Sequence, residues 1–200
     1  MSKLEFFFDC SSPWTYLAFT GVQPIAECFG VDIIWRPILV GGVFNAVNKE
    51  VYSHRANPNP LRWRYMEKDL CDWADFYDLQ IGWPENHPIS SVKAMRGAYV
   101  ALEQGKLVPY AETVFRHYWS ELNDISDDAI LSRIVEECGL PAAAFFEKIK
   151  DQRYKDKLRT STAELIERGG FGSPTIFIND EDMYFGNDRL QLVEHALQRL

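Results

Sequence analysis

Apolar and polar positions along the chain fall into three regimes. Leu4 to Phe8 is a short apolar run that fits a fully buried strand. Ser11 or Ser12 then caps a helix with Pro13 at its first position, and Trp14, Leu17 and Ala18 share one face of it. Gly21 and Pro24 predict a break or kink, and Gly30 predicts the stop. Val31 to Trp35 is a second, β-branched run, ended by Arg36-Pro37. Residues 38–60 read as irregular, with Gly41-Gly42 and the loop Asn57-Pro58-Asn59-Pro60. From Leu61 the spacing turns helical, with Leu61, Tyr65, Leu70, Trp73, Phe76 and Tyr77 recurring once per turn or so. Beyond the loop from Trp83 to Pro88, helices are predicted near 90–104, 108–121, 127–138, 141–149 and 152–168, with Ser126 as a cap. From Phe171 the strand pattern returns as SPTIFIND and then Met183 to Phe185, with Asn179 to Asp182 as the hairpin turn. Asn187 or Asp188 opens a last helix carrying Leu190, Leu192, Val193, Ala196 and Leu197.

The order is therefore β-α-β, a helical block, then β-β-α. The terminal parts together make one four-stranded sheet with helices on its faces, and the block is an insertion between them. This is the thioredoxin arrangement: an α/β, thioredoxin-like fold with a large all-helical insertion. Residues 1–59 and 169–200 form the thioredoxin-like domain, and 60–168 the helical insertion.

Composition narrows the function. The chain has 200 residues, 46% of them hydrophobic, enough for a sizeable core. Its net charge of −8 disfavours nucleic acid as a partner, since phosphate neutralisation needs a basic surface. A local cationic pocket for a small anion remains compatible with that charge. The start MSKLEFFFDC is too short an apolar run for a signal peptide, and no stretch reaches the roughly 20 apolar residues of a membrane helix, so the chain reads as soluble and cytoplasmic, with no membrane partner. Cys10, Cys28, Cys71 and Cys138 form no C-x-x-C pair, which argues against a zinc ribbon or a dithiol site, and they read as reduced thiols. His54, His87, His117 and His195 lack metal-ligand spacing, so no metal is expected.

Three motifs carry chemistry. FFFDCSSPWTYLAF places S-P-x-T at a helix start that follows a strand. Redox proteins of the thioredoxin fold carry C-P-x-C there, where the helix N-terminus stabilises a thiolate. Ser12 and Thr15 occupy the two cysteine places; a serine hydroxyl has no accessible redox chemistry but can donate a hydrogen bond to a thiolate brought by a ligand. GGFGSPTIFI supplies Pro174 as a structural cis-proline, with Ser173 offering its backbone to a peptide-like ligand. YFGNDRL places Asn187 and Asp188 at a helix N-terminus suited to a carboxylate, with Asp188 able to meet an ammonium group. Each has a plainer reading beside it: Ser12 and Asp188 as helix caps, and the aromatic residues Trp14, Phe44 and Trp83 as core rather than pocket.

Together with WRPILVGGVFN and YMEKDLCDWADFYDLQI, these motifs resemble the 2-hydroxychromene-2-carboxylate isomerases and the related kappa-class glutathione transferases, in the DsbA-like branch of the thioredoxin superfamily. The resemblance spans nearly the whole chain. It implies glutathione as cofactor, with its thiol against Ser12 as the catalytic residue. Asn48, Arg62, Ser173, Asn187 and Asp188 are the implied glutathione-binding residues. Asn57 rivals Asn48, and Arg62 stands where the family usually has lysine, exchanging a point charge for a planar fork. The implied activity is glutathione-dependent cis–trans isomerisation of a small aromatic-degradation intermediate, in a homodimer. A kappa-type transferase and a redox-inactive peptide-binding module are the alternatives. A dithiol oxidoreductase is disfavoured because Cys10 has no partner at redox spacing.

Overall fold

The computed structural model describes residues 3–200. Strand β1 (Leu4–Phe8) is buried along its whole length because it lies inside a sheet of order β2-β1-β3-β4. Strand β2 (Ile33–Pro37) runs parallel to it, with Leu4 opposite Ile33 and Phe8 opposite Pro37. Strand β3 (Thr175–Ile178) pairs with its other side in antiparallel fashion, and β4 (Asp182–Phe185) closes the hairpin on β3. Side chains alternate across β1, so one strand serves two cores. Phe6 and Phe8 pack against Phe19 at ring separations of 6.1 and 5.7 Å. On the other face Phe7 meets Phe177 edge-on at 5.6 Å, beside Ile38, Val43 and Leu165.

Glu5 shares that second face and is only 2% exposed. A buried carboxylate needs counter-charges, and it has three: Arg168 at 2.8 Å, Lys3 at 3.3 Å and Arg36 at 3.9 Å. The Arg168 guanidinium lies 3.8 Å over the Phe177 ring, which fixes its plane while it reaches Glu5.

Helix α1 (Pro13–Phe29) is continuous, where the sequence predicts a break at Gly21 and Pro24. Pro24 falls on the exposed side of the helix, so the hydrogen bond that it cannot make is lost where water can replace it. Gly21 is buried for a packing reason: a Cβ there would lie 2.5 Å from the Tyr77 hydroxyl and 2.7 Å from Leu190 Cδ1. Gly30 ends the helix in the left-handed conformation, φ 61°, as expected.

Residues 38–60, expected to be irregular, contain α2 (Val40–Val47) and α3 (Glu50–Ala56). The start of α2 is satisfied from distant segments: the Leu39 amide donates to Thr162 Oγ1 at 3.0 Å and the Val40 amide to Asp9 Oδ2 at 2.8 Å. Asn59 caps α4 (Pro60–Phe76), accepting from the Leu61 and Arg62 amides. The block continues through α5 (Val92–Glu103), α6 (Leu107–Phe115), a π-helical turn (Arg116–Ser120), α7 (Asp128–Glu137), α8 (Ala142–Lys150) and α9 (Gln152–Glu167). The cap of α7 is Asp127, which accepts from the Ala129 amide; the expected cap, Ser126, instead donates its amide and hydroxyl to Asp124 Oδ1. Helix α9 packs on β2 and α2, and α5 packs on β2, which seats the block on the sheet. A short 3₁₀ turn (Asn187–Arg189) leads from β4 into α10 (Leu190–Leu197).

Candidate functional site at the start of helix α1

The site forms where β1 ends and α1 begins. Asp9, the first residue beyond β1, is fully buried. Its Oδ1 accepts from the Ser11 amide and the Ser11 hydroxyl, both at 2.9 Å. Its Oδ2 accepts from the Val40 amide at 2.8 Å and the Ser91 hydroxyl at 3.0 Å. Burial pushes the Asp9 carboxyl above the usual carboxylate range, and the donors on Ser11, Val40 and Ser91 pull against that rise. One carboxylate thus ties the turn before α1 to the starts of α2 and α5.

Ser12 is the N-cap of α1, in extended backbone, and its Oγ accepts from the Thr15 amide at 3.3 Å. The same hydroxyl donates to the Ser173 carbonyl at 3.1 Å. The Ser173–Pro174 bond is cis, as expected from the motif. Ser173 Oγ accepts from the Asp9 amide at 3.0 Å and lies 2.8 Å from Thr15 Oγ1. Both residues at the cysteine places of redox relatives therefore bond to Ser173. Thr15 is sealed from solvent, while Ser12 remains reachable.

Cys10 is buried between these elements. Its amide donates to Met95 Sδ at 3.4 Å, and its carbonyl accepts from Trp119 Nε1 at 2.9 Å. Burial pushes its thiol well above the ordinary value, which leaves it protonated and unreactive.

Ser12 opens onto a cavity of about 800 Å³, towards the upper end of the range for small-molecule sites. Ser12, Asn48, Arg62 and Ser173 line it, and so does Asn57, the rival of Asn48. Asn48 Nδ2 donates to the Phe171 carbonyl at 3.3 Å. Asn187 and Asp188 are not among the lining residues: Asn187 is buried with an unpartnered Nδ2, and Asp188 pairs with Arg189 at 2.8 Å. Trp14, Phe44 and Trp83 all line the cavity, and Trp14 and Trp83 pack against the core as well.

Sequence reasoning did not single out Arg55, Trp63, Met66 or His87 as pocket residues, yet all line the cavity. Arg55 lies 5.6 Å over the Phe44 ring, and Trp63 packs on Trp83 at 5.5 Å. His87 Nδ1 sits 2.7 Å from the Tyr118 hydroxyl. Burial, aided by the Arg55 charge, lowers the His87 pKa to about 4. Among the described residues no Asp or Glu lines the cavity. Neither Arg55 nor Arg62 has a carboxylate partner among the described residues. A site lined by cations without counter-charges attracts anions even in an acidic protein.

A helix N-terminus facing a cis-proline loop, on this sheet order and with a helical block between the halves, defines the class of protein. The chain matches the DsbA-like thioredoxin domain over residues 3–198 and belongs to that family. Within it, the chain is 29% identical over 197 residues to the 2-hydroxychromene-2-carboxylate isomerase of Pseudomonas putida, covering 98% of this chain and 95% of the relative. It is 27% identical to glutathione S-transferase kappa 1 of Caenorhabditis elegans, covering 100% and 92% of the two chains. A solved 2-hydroxychromene-2-carboxylate isomerase superposes with a TM-score of 0.83 at 27% identity, covering 98% of this chain and 94% of that one. A probable DsbA oxidoreductase from Streptomyces coelicolor, TM-score 0.82 at 18% identity over 100% of this chain and 89% of that one, shares the fold.

Proposed function

We propose that the protein is a glutathione-dependent cis–trans isomerase of the 2-hydroxychromene-2-carboxylate isomerase type, acting on an aromatic-degradation intermediate. The observation that carries this reading is the cavity itself: aromatic walls, unpaired arginines and no carboxylate among the described residues, opening at a serine where redox relatives carry cysteine. Glutathione suits this donor set, being a peptide-like anion. Arg62 and Asn48 offer donors to its carboxylate and amide groups, and Ser173 offers backbone beside the cis-proline. Asn187 and Asp188 would receive the γ-glutamyl end only if the ligand reaches past the cavity to the turn after β4.

When bound, glutathione supplies a sulfur nucleophile that adds to the electrophilic carbon of a conjugated double bond and leaves again, so that rotation takes place about a single bond. Ser12 serves this chemistry without attacking. Its oxygen accepts from the Thr15 amide, and its hydrogen, which now goes to the Ser173 carbonyl, is the donor that would turn to a bound sulfur anion. The N-terminus of α1 favours the same negative charge. Asp9 holds the Ser11–Ser12 turn in place, and Trp14, Trp63 and Trp83 keep water from the reacting carbon.

Calorimetric titration with glutathione and an isomerisation assay with and without it test the reading. Ser12→Ala is expected to lower kcat on the order of 100-fold, the usual effect of removing one donor aimed at developing charge, while glutathione still binds. Absence of binding to the wild type at millimolar glutathione would sink the proposal. The kappa-type relative favours a second reading, transfer of glutathione to an electrophile. Mass spectrometry separates them: an isomer keeps the substrate mass, whereas a conjugate gains that of glutathione.

A further inference from the structure

Within the cavity, His87 is held in one tautomer by a group that belongs to the helical block. Tyr118 is fully buried, and among the described residues its only side-chain partner is His87 Nδ1, at 2.7 Å. Burial keeps the phenol protonated. The phenolic hydrogen therefore needs an acceptor, and Nδ1 is the one within reach. Were Nδ1 to carry a hydrogen, the Tyr118 hydrogen would be buried without a partner. Nδ1 accordingly accepts, and the ring hydrogen sits on Nε2. The ring plane is fixed by Trp83 at 5.5 Å and Trp119 at 5.3 Å. Nε2 has no partner among the described residues and is not sealed from solvent.

We propose that His87 Nε2–H and the Arg55 guanidinium form an oxyanion subsite that takes the carboxylate of a planar aryl acid, whose ring lies against the Trp63–Trp83 pair. Both polar groups line the same cavity, and Arg55 is held over Phe44 with no ion-pair partner among the described residues. A neutral imidazole suits this role because it donates one directed hydrogen bond and adds no second positive charge beside Arg55. The tautomer makes the contact selective, because a ligand offering only a donor at that point would meet another donor. The idea rests on the isomerase reading for its biological meaning, but its binding claim stands apart from glutathione.

The test uses trans-2-hydroxycinnamate as probe, titrated calorimetrically into the wild type, His87→Phe and His87→Gln, with glutathione titrated separately into each. Glutamine places an amide hydrogen near the position of Nε2–H, and phenylalanine fills the space without one. The wild type should bind the probe. His87→Phe should weaken it about tenfold or more, as expected for a lost hydrogen bond to a charged group. His87→Gln should stay within about threefold of wild type, since the donor is retained. Cinnamyl alcohol, which lacks the carboxylate, should bind wild type and His87→Phe alike. Nitrogen-15 correlation spectra of the wild type should show the Nε2–H pattern for His87. An Nδ1–H pattern, equal probe affinity in wild type and His87→Phe, or no probe binding by the wild type would overturn the subsite. Failure of glutathione to bind while the probe does would overturn the isomerase reading and leave the subsite standing.

Discussion

His87 illustrates how much chemistry a single contact decides. Its folded pKa of about 4 lies below the 6.5 of the free side chain, because burial and Arg55 both oppose the charged form. As pH falls, the unfolded chain takes up this proton first. The contribution of His87 to stability is therefore complete above pH 6.5 and is lost as pH falls from 6.5 towards 4. The groups that face the ring from the packed elements are Arg55, Tyr118, Trp83 and Trp119. Urea unfolding of the wild type should show stability declining across the window, and His87→Gln should show a shallower decline. Parallel curves would remove the assignment. The meeting of Ser12 with Ser173 was legible because both residues sit in contiguous motifs. His87 was not, since what fixes it is a tyrosine 31 positions away. Asp9 shares a motif with Ser12, and an acid directly after a buried apolar strand is itself the signal that it must find several donors.

At the scale of elements, periodicity located α1 and the helices of the block, because each buries one face at regular spacing, while short apolar runs located β1 and β3, which are buried on both faces. It did not locate α2 and α3. The start of α2 is stabilised by Asp9 and Thr162 rather than by a local cap, α3 has no side-chain cap at all, and no local pattern encodes such arrangements. The expected cap Ser126 was displaced for a related reason: Asp124 engages Ser126, leaving Asp127 to cap. Within the sheet, Glu5 collects Lys3, Arg36 and Arg168 from three different segments. Glu5→Gln removes the shared counter-charge while keeping the volume. The expected loss is about 2 kcal/mol, less than for a wholly buried pair because the three cations reach solvent. Chemical denaturation measures it, and an unchanged midpoint would show that the cluster contributes nothing.

For the whole molecule, among the described residues no helix is long and apolar enough to cross a membrane. One apolar stripe nevertheless remains uncovered: Leu61, Tyr65 and Phe76 lie on one side of α4 by helical spacing and are 70%, 66% and 72% exposed. The homodimer expected from the sequence would pair through this stripe. Light scattering after size exclusion should give twice the chain mass for the wild type and the chain mass for Tyr65→Glu combined with Phe76→Glu. A monomeric wild type at micromolar concentration would refute it. The Asp9 carboxylate has a consequence at this scale as well. It draws together residues 9, 40 and 91, and the Trp119 indole clasps Cys10 from the far side. The floor beneath Ser12 is consequently shared property: half of it arrives with the sheet and half with the helices. Neither half can be excised and leave Ser12 on the same footing, so the floor of the cavity comes into being only when the chain has closed upon itself.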